Sequence, residues 1–546
     1  MMTIGRDRLA GEQTTSVQNY NQQIRKRVSM SLFHSTVSRR DFMKGLGLVG
    51  GIGGAAAVTP AFHDLDEVIS AAESTRKRAW FVKEVDEPTV EIDWALVKRH
   101  HGGHSTQSAA VVARYPGLEA YNAMTKSGKS DADRMKDNEP GYRLRDAALG
   151  AANGGVFSGI SLAGSPGAVG GVIPTCEADK FGRKKVQTPE QRGVPKWTGT
   201  PEEATKMLRA VMVFFGAANL GVGELDDHHK NFVGLTGDNI GTQYYPNIDK
   251  APTTVTKPVV FADQPTFTWD QAKNITYVPN IPLWAVTYLI PQHQELNLRR
   301  PTVLGRTTQT RYRLRRETTT CTQDFITGIG YQSMADVPYR VLPSGPGIVL
   351  GGLGENARHS IMTLSPEVGA FGGYFDMLTD LELAPTKPID AGMWRFCHSC
   401  GLCADLCPSG SITKKGEAEP SYEVRPSHIT PKDPPLPGMR ESGEWHKLGR
   451  KTYWTDMPGS QIYQRSVDTC NVCWGNCVFN GANGAMIHQV VKGTASITPL
   501  FNAFFAAMHE PMGYGMKHGE DVEEWWNMSL PSNGFSSTMM ARHMGY

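Results

Sequence analysis

The chain has 546 residues, a fifth of them charged, and a formal net charge of only +2 at neutral pH. That length supplies core for two or more packed units, and the near-balance of charge, without a Lys/Arg stripe, excludes a nucleic-acid footprint. No apolar run of about 18 residues occurs, so no segment reads as a membrane-spanning helix and any membrane attachment falls to a partner.

Near the N-terminus, "STVSRRDFMKGLGLVGGIGGAAAVTPA" sets Arg39–Arg40 and Phe42–Met43–Lys44 before a Gly/Ala-rich apolar stretch, Gly45 to Val58. This reads as a twin-arginine export signal, with residues 1–72 as leader, Met30 as an alternative start and cleavage after Ala72. Export by that route carries folded, cofactor-loaded proteins. The sequence therefore predicts a twin-arginine translocase as partner and a place outside the cytoplasmic membrane.

Residues 73–145 read as a polar N-terminal extension. Over 146–385 helical and strand patterns mix, which predicts an α+β (mixed α/β) core. "PEEATKMLRAVMVFFGAANLGVGELD" opens with a proline and two acids, as a helix does, and its apolar run ends in Gly-Val-Gly. "NITYVPN" and "LWAVTYLI" have strand composition, and "TQDFITGIGYQ" looks helical. "PSGPGIVLGGLGENARHS" reads as a glycine-rich loop whose glycines permit close approach to a flat cofactor. "LAPTKPIDAGMWRF" is a linker into a cysteine segment over 386–495, and 496–546 form a C-terminal extension.

Seven of the nine cysteines cluster there. Cys397, Cys400, Cys403 and Cys407 with Pro408 match C-x2-C-x2-C-x3-C-P, the ferredoxin run whose fourth cysteine crosses to a second cluster. One iron–sulfur cluster thus takes Cys397, Cys400, Cys403 and Cys477, and the other takes Cys407, Cys470 and Cys473. Zinc is satisfied by four ligands and has no use for a crossing arrangement. An eighth cysteine is missing. The second cluster is a 4Fe-4S centre with a non-cysteine ligand, a 3Fe-4S centre, or one that borrows Cys176 or Cys321.

The signal, the core-sized region and the two-cluster segment together resemble the corrinoid-dependent reductive dehalogenases. The resemblance extends through "KRAWFVKE", "FFGAANLGVGELD", "YLIPQ", "GLGENAR" and "LTDLELAPTKPID", and is greatest to the chlorinated-ethene enzymes. It implies a nitroreductase-like core binding a corrinoid (cobalamin-type), followed by a ferredoxin-like domain. It also implies a small organohalide substrate, an electron-donating respiratory partner and a small membrane-anchor protein that holds the enzyme at the membrane's outer face. The family's proton-donating tyrosine maps to Tyr312, 12 residues before Asp324 of "DFITGIGY", with Arg311, Arg313, Arg315 and Arg316 beside it. Two departures stand out. Phe371 and Gly372 fall where the family carries an arginine supporting that tyrosine, and Pro346 falls where it carries a pocket asparagine. Arg340, Arg358 or an arginine beside Tyr312 could substitute.

"DDHHKNFVG" fails as a cobalamin lower-base motif, because Asn231 stands where it needs glycine, and reads as a surface or satisfied histidine pair. Two other readings compete. An epoxyqueuosine-reductase-like enzyme shares the corrinoid and ferredoxin plan, but the export signal and near-neutral charge oppose it. An electron-transfer protein without organic chemistry would hold clusters and no corrinoid.

Overall fold

The computed structural model describes residues 78–99, 123, 128–150, 186–235, 258–270, 272–306, 310–335, 344–360, 363–422, 449–456, 460, 463–464, 467, 470–480, 486–509 and 514–527. The chain divides into Met1–Trp80 and Phe81–Tyr546, and every element below belongs to the second unit.

Helix α1, Pro201–Phe214, is fixed at its start by a capping box. The Thr200 hydroxyl accepts from the Glu203 amide, and the Glu203 carboxylate accepts from the Thr200 amide. Ala204, Leu208 and Met212, one turn apart, give α1 its buried stripe. Gly-Val-Gly does not end the apolar run as expected. It lies within strand β1, Asn219–Glu224, at the sheet edge. Strands β2 (Val259–Ala262), β3 (Thr268–Asp270) and β4 (Ile275–Pro279) form a small sheet in which β4 pairs parallel with β2 and antiparallel with β3.

The chain continues through β5 (Trp284–Pro291), α2 (Gln294–Asn297), α3 (Thr310–Gly328), β6 (Ser333–Ala335), α4 (Ser344–Leu350) and β7 (Gly372–Thr379). The main sheet is antiparallel in the order β1-β5-β7-β6. All eight residues of β7 are buried. Phe375 and Met377 join Leu208, Met212, Leu314 and Ile326 on one face, while Tyr374 joins Ile348 and Leu353 on the other. With elements packed on both faces the strand is buried throughout, Asp376 and Thr379 included.

Two expectations need correction. Helix α3 is 19 residues long and starts well before "TQDFITGIGYQ". Its buried face is built largely from Thr318, Thr319 and Thr322, so apolar periodicity does not reveal it. The stretch from Ser344 to Leu350, expected as loop, is helix α4. Its glycines let it lie on the strands: a Cβ at Gly347 would meet Thr287 Oγ1 at 1.9 Å, and one at Gly221 would meet the Gly351 carbonyl oxygen at 2.4 Å. The close approach these glycines permit is backbone to strand. Among the described residues no helix is long and apolar enough to cross a membrane.

The cysteine segment begins with α5 (Met393–Cys400) and α6 (Leu402–Asp405), and returns as α7 (Val472–Gly475). Helices α8 (Met486–Ile497) and α9 (Asn502–Met508) pack against α5.

Candidate functional site

Helices α5 and α6 meet at Gly401, whose φ of 73° is left-handed. The reversal there brings Cys397, Cys400 and Cys403 around one pocket, and Cys477, just past α7, closes it. Arg358, Phe396 and Phe479 supply further walls. The eight described cysteines are all free, and Cys176 lies outside the described residues.

Burial and mutual repulsion raise the thiols of this segment. Burial pushes Cys400 up to about 11, and Cys470 and Cys477 to about 12. Cys403 lies well above the thiol range, first through burial and then through repulsion from Cys397, Cys400, Cys473 and Cys477. Cys473 is raised by burial and next by Cys407 and Cys470. The two sets therefore adjoin at Cys403 and Cys473. Thiols buried this closely ionise only around a cationic centre. Among the described residues no three His, Cys, Asp or Glu side chains converge on a single-ion site. Cys397, Cys400, Cys403 and Cys477 line one pocket, and Cys473 of the other set reaches its wall.

A buried polar frame holds this geometry. The α5 N-cap, Gly392, offers no side chain, and a Cβ there would meet Ser496 Cα at 2.3 Å. Glu355 replaces it, accepting from the Ala391 amide at 2.9 Å, the Met393 amide at 3.0 Å and the Thr89 hydroxyl at 2.7 Å. Glu355→Ala leaves these donors unmet, so the denaturation midpoint falls, corresponding to about 2 kcal/mol. At the other end of α5, Arg358 donates to the carbonyls of Cys397 (2.9 Å), Thr413 (3.0 Å) and His398 (3.2 Å) and stacks on Tyr453 at 3.9 Å. Arg358 therefore serves the cysteine segment. Lys492 of α8 is buried and donates to the Pro366 carbonyl at 3.0 Å. Burial lowers its amine to about 8 against the opposing pull of Glu367 and Cys477.

Tyr312 lies in the first turn of α3, half-buried against the sheet, with its ring 5.8 Å edge-on from Phe375. Arg311 Nη2 donates to its hydroxyl at 2.9 Å, and the same guanidinium stands 5.6 Å from the ring centre of Trp474. Trp474 follows Cys473, so one arginine joins the predicted tyrosine to the cysteine segment. Arg315 lies 4.7 Å over Phe375 and 5.8 Å from the Tyr312 ring. The sequence brought Arg311 to attention only as a neighbour of Tyr312; its contact with Trp474 has no local signature. Arg340 lies outside the described residues. Cys321 lies on α3, half-buried. In the histidine pair, His229 Nδ1 bonds Asp226 at 2.7 Å, and His228 is exposed and packs on Trp94.

The family model described as "Reductive dehalogenase subunit" matches residues 77–383. The chain is 30% identical to the chloroethene reductive dehalogenase of Dehalococcoides mccartyi strain VS, over 93% of this chain and 99% of that one. It is also 30% identical to the trichloroethene reductive dehalogenase of Dehalococcoides mccartyi strain 195, over 92% and 99%. A variant of the catabolic reductive dehalogenase NpRdhA shares the fold with a TM-score of 0.50 at 16% identity, over 82% of this chain; the chain spans half the length of that protein. By a family match over most of its core and near-complete alignment with named relatives, the chain belongs to the reductive dehalogenases, oxidoreductases that act on carbon–halogen bonds.

Proposed function

We propose that this enzyme removes halide from a chlorinated ethene, or a small chlorinated alkane, by adding two electrons and one proton and releasing chloride. The relatives named for chloroethene and trichloroethene, aligned along nearly the whole chain, support the substrate class. The observation that carries the reaction is the junction of two thiol sets with Tyr312 through Trp474 and Arg311.

In this reading Cys397, Cys400, Cys403 and Cys477 hold one 4Fe-4S cluster, and Cys407, Cys470 and Cys473 hold the second. When bound, the clusters supply single electrons and a corrinoid supplies a low-potential cobalt able to deliver an electron pair to the carbon–halogen bond. The chain fits a large amide-bearing ligand at the junction. Among the described residues, the Trp474 indole N–H is buried without a partner, as are both amide atoms of Asn297. Asn297 precedes Leu298, which packs toward Gly475. Buried polar atoms in that state are those a ligand completes. Tyr312 donates the proton from its hydroxyl, and the apolar wall of Phe375 excludes water beside it.

The proposed layout is a twin-arginine leader over 1–72, an extension to 145, a nitroreductase-like catalytic core over 146–385, a ferredoxin-like domain over 386–495 and a tail over 496–546. The exported enzyme is held at the outer face of the cytoplasmic membrane by a small anchor protein and receives electrons from a respiratory donor. Reduced viologen as donor, with chloroethenes, chloroalkanes and chlorinated aromatics offered separately, tests the substrate class. Chloride release from ethenes or small alkanes is expected; release from aromatics alone contradicts it.

A further inference from the structure

We propose that Arg311 is the positioning residue for Tyr312, and that the missing side chain at Gly373 is what lets it serve. The inference rests on Tyr312 being the proton donor. Arg311 lies along β7 where Gly373 leaves the strand bare: a Cβ at 373 would meet Arg311 Cδ at 2.7 Å, Cβ at 3.0 Å and Cγ at 3.2 Å. Seated there, its guanidinium donates to the Tyr312 hydroxyl at 2.9 Å, with its centre 4.6 Å from the Tyr312 ring and 5.6 Å from Trp474. Among the described residues no carboxylate pairs with Arg311, so its charge remains directed at the phenol and the indole. A planar cation can donate and stack at once, which lysine cannot match.

Phe371 and Gly372, where the family pattern places a supporting arginine, are both buried in this chain. The same chemical group therefore arrives from the helix, one residue before the tyrosine, and the glycine that admits it comes from the strand. A guanidinium bonded to the phenol oxygen stabilises the phenolate left after the proton departs. Arg311 and Arg315 of α3 and Phe375 of β7 contact Tyr312, while Gly373 of β7 and Trp474 of α7 contact Arg311. The two charged side chains among these Tyr312 contacts are both cationic.

The test uses the fully assembled enzyme, with the pH dependence of kcat and the iron content measured for Arg311→Gln, Arg311→Lys and Gly373→Ala. A proton donor works only while protonated, so activity falls as pH rises through its pKa; removing the cation raises that pKa and moves the alkaline limb to higher pH. Arg311→Gln is expected to lower kcat about tenfold, change KM by less than about twofold and shift the limb up by about one pH unit, with iron unchanged. Arg311→Lys restores part of the shift, and Gly373→Ala reproduces it without removing a charge. A wild-type limb and kcat in Arg311→Gln, or activity lost only in step with iron, overturns the inference. Tyr312→Phe separates the two ideas. Full turnover in that variant defeats the proton-donor reading and this inference with it, whereas an inactive Tyr312→Phe beside normal Arg311 variants defeats this inference alone.

Discussion

Replacing Cys403 by serine is expected to leave the purified enzyme short of iron and to reduce turnover to background. Cys403 stands where the two thiol sets adjoin, since it is repelled by Cys397, Cys400 and Cys477 of its own set and by Cys473 of the other. Serine is nearly isosteric, so the fold suffers little, but an alkoxide is a poor substitute for a soft thiolate at iron. Iron content and the electron paramagnetic resonance of the reduced protein measure the result. Cys321→Ser on α3 gives the comparison: if the second cluster does not borrow that thiol, the variant retains its iron, and iron loss there would identify the missing ligand.

Tyr312→Phe is expected to lower kcat by about 10²- to 10⁴-fold, the span by which a positioned general acid contributes. KM changes little, because phenylalanine fills the same space against Phe375, and iron content stays at the wild-type level. The substitution removes only the hydroxyl to which Arg311 donates. A loss confined to kcat therefore marks a group used in the transition state rather than in binding.

These two positions were legible in the sequence for different reasons. The cysteines announce themselves because wrapping a cluster is a local act: C-x2-C-x2-C is set by one helix, one left-handed glycine and one short turn. The partner cysteines, about 70 residues later, were assignable because the crossing rule of the ferredoxin run links the two segments, and Cys473 and Cys477 do line one pocket with Cys397, Cys400 and Cys403. Tyr312 came from resemblance alone. Nothing in "RTTQTRYRLRR" signals a buried helix face: α3 buries Leu314 and Arg316 there, and then Thr318, Thr319 and Thr322, where a pattern search looks for leucines.

What escaped the sequence depends on tertiary contact. A glycine-rich stretch reads as loop, yet "SGPGIVL" is helix because Gly347 and Gly351 let α4 settle on Thr287 and Gly221. Glu355 caps a helix 38 residues further along, and Arg358 holds the carbonyls at its far end. Gly373 looks like a weakness in a strand until the side chain lying across it is known. No periodicity or motif encodes such pairings, because each is a fact about two segments brought together only on folding.

The central claim is that this dehalogenase joins two cysteine-held iron–sulfur clusters to a corrinoid beside Tyr312. Metal analysis of protein purified without oxygen, with extraction and spectroscopy of the corrinoid, tests it most directly. About seven to eight irons per chain are expected, with cobalt equimolar to protein and recovered as a cobamide. Iron at that level with no cobalt would contradict the claim and leave an electron-transfer protein in its place.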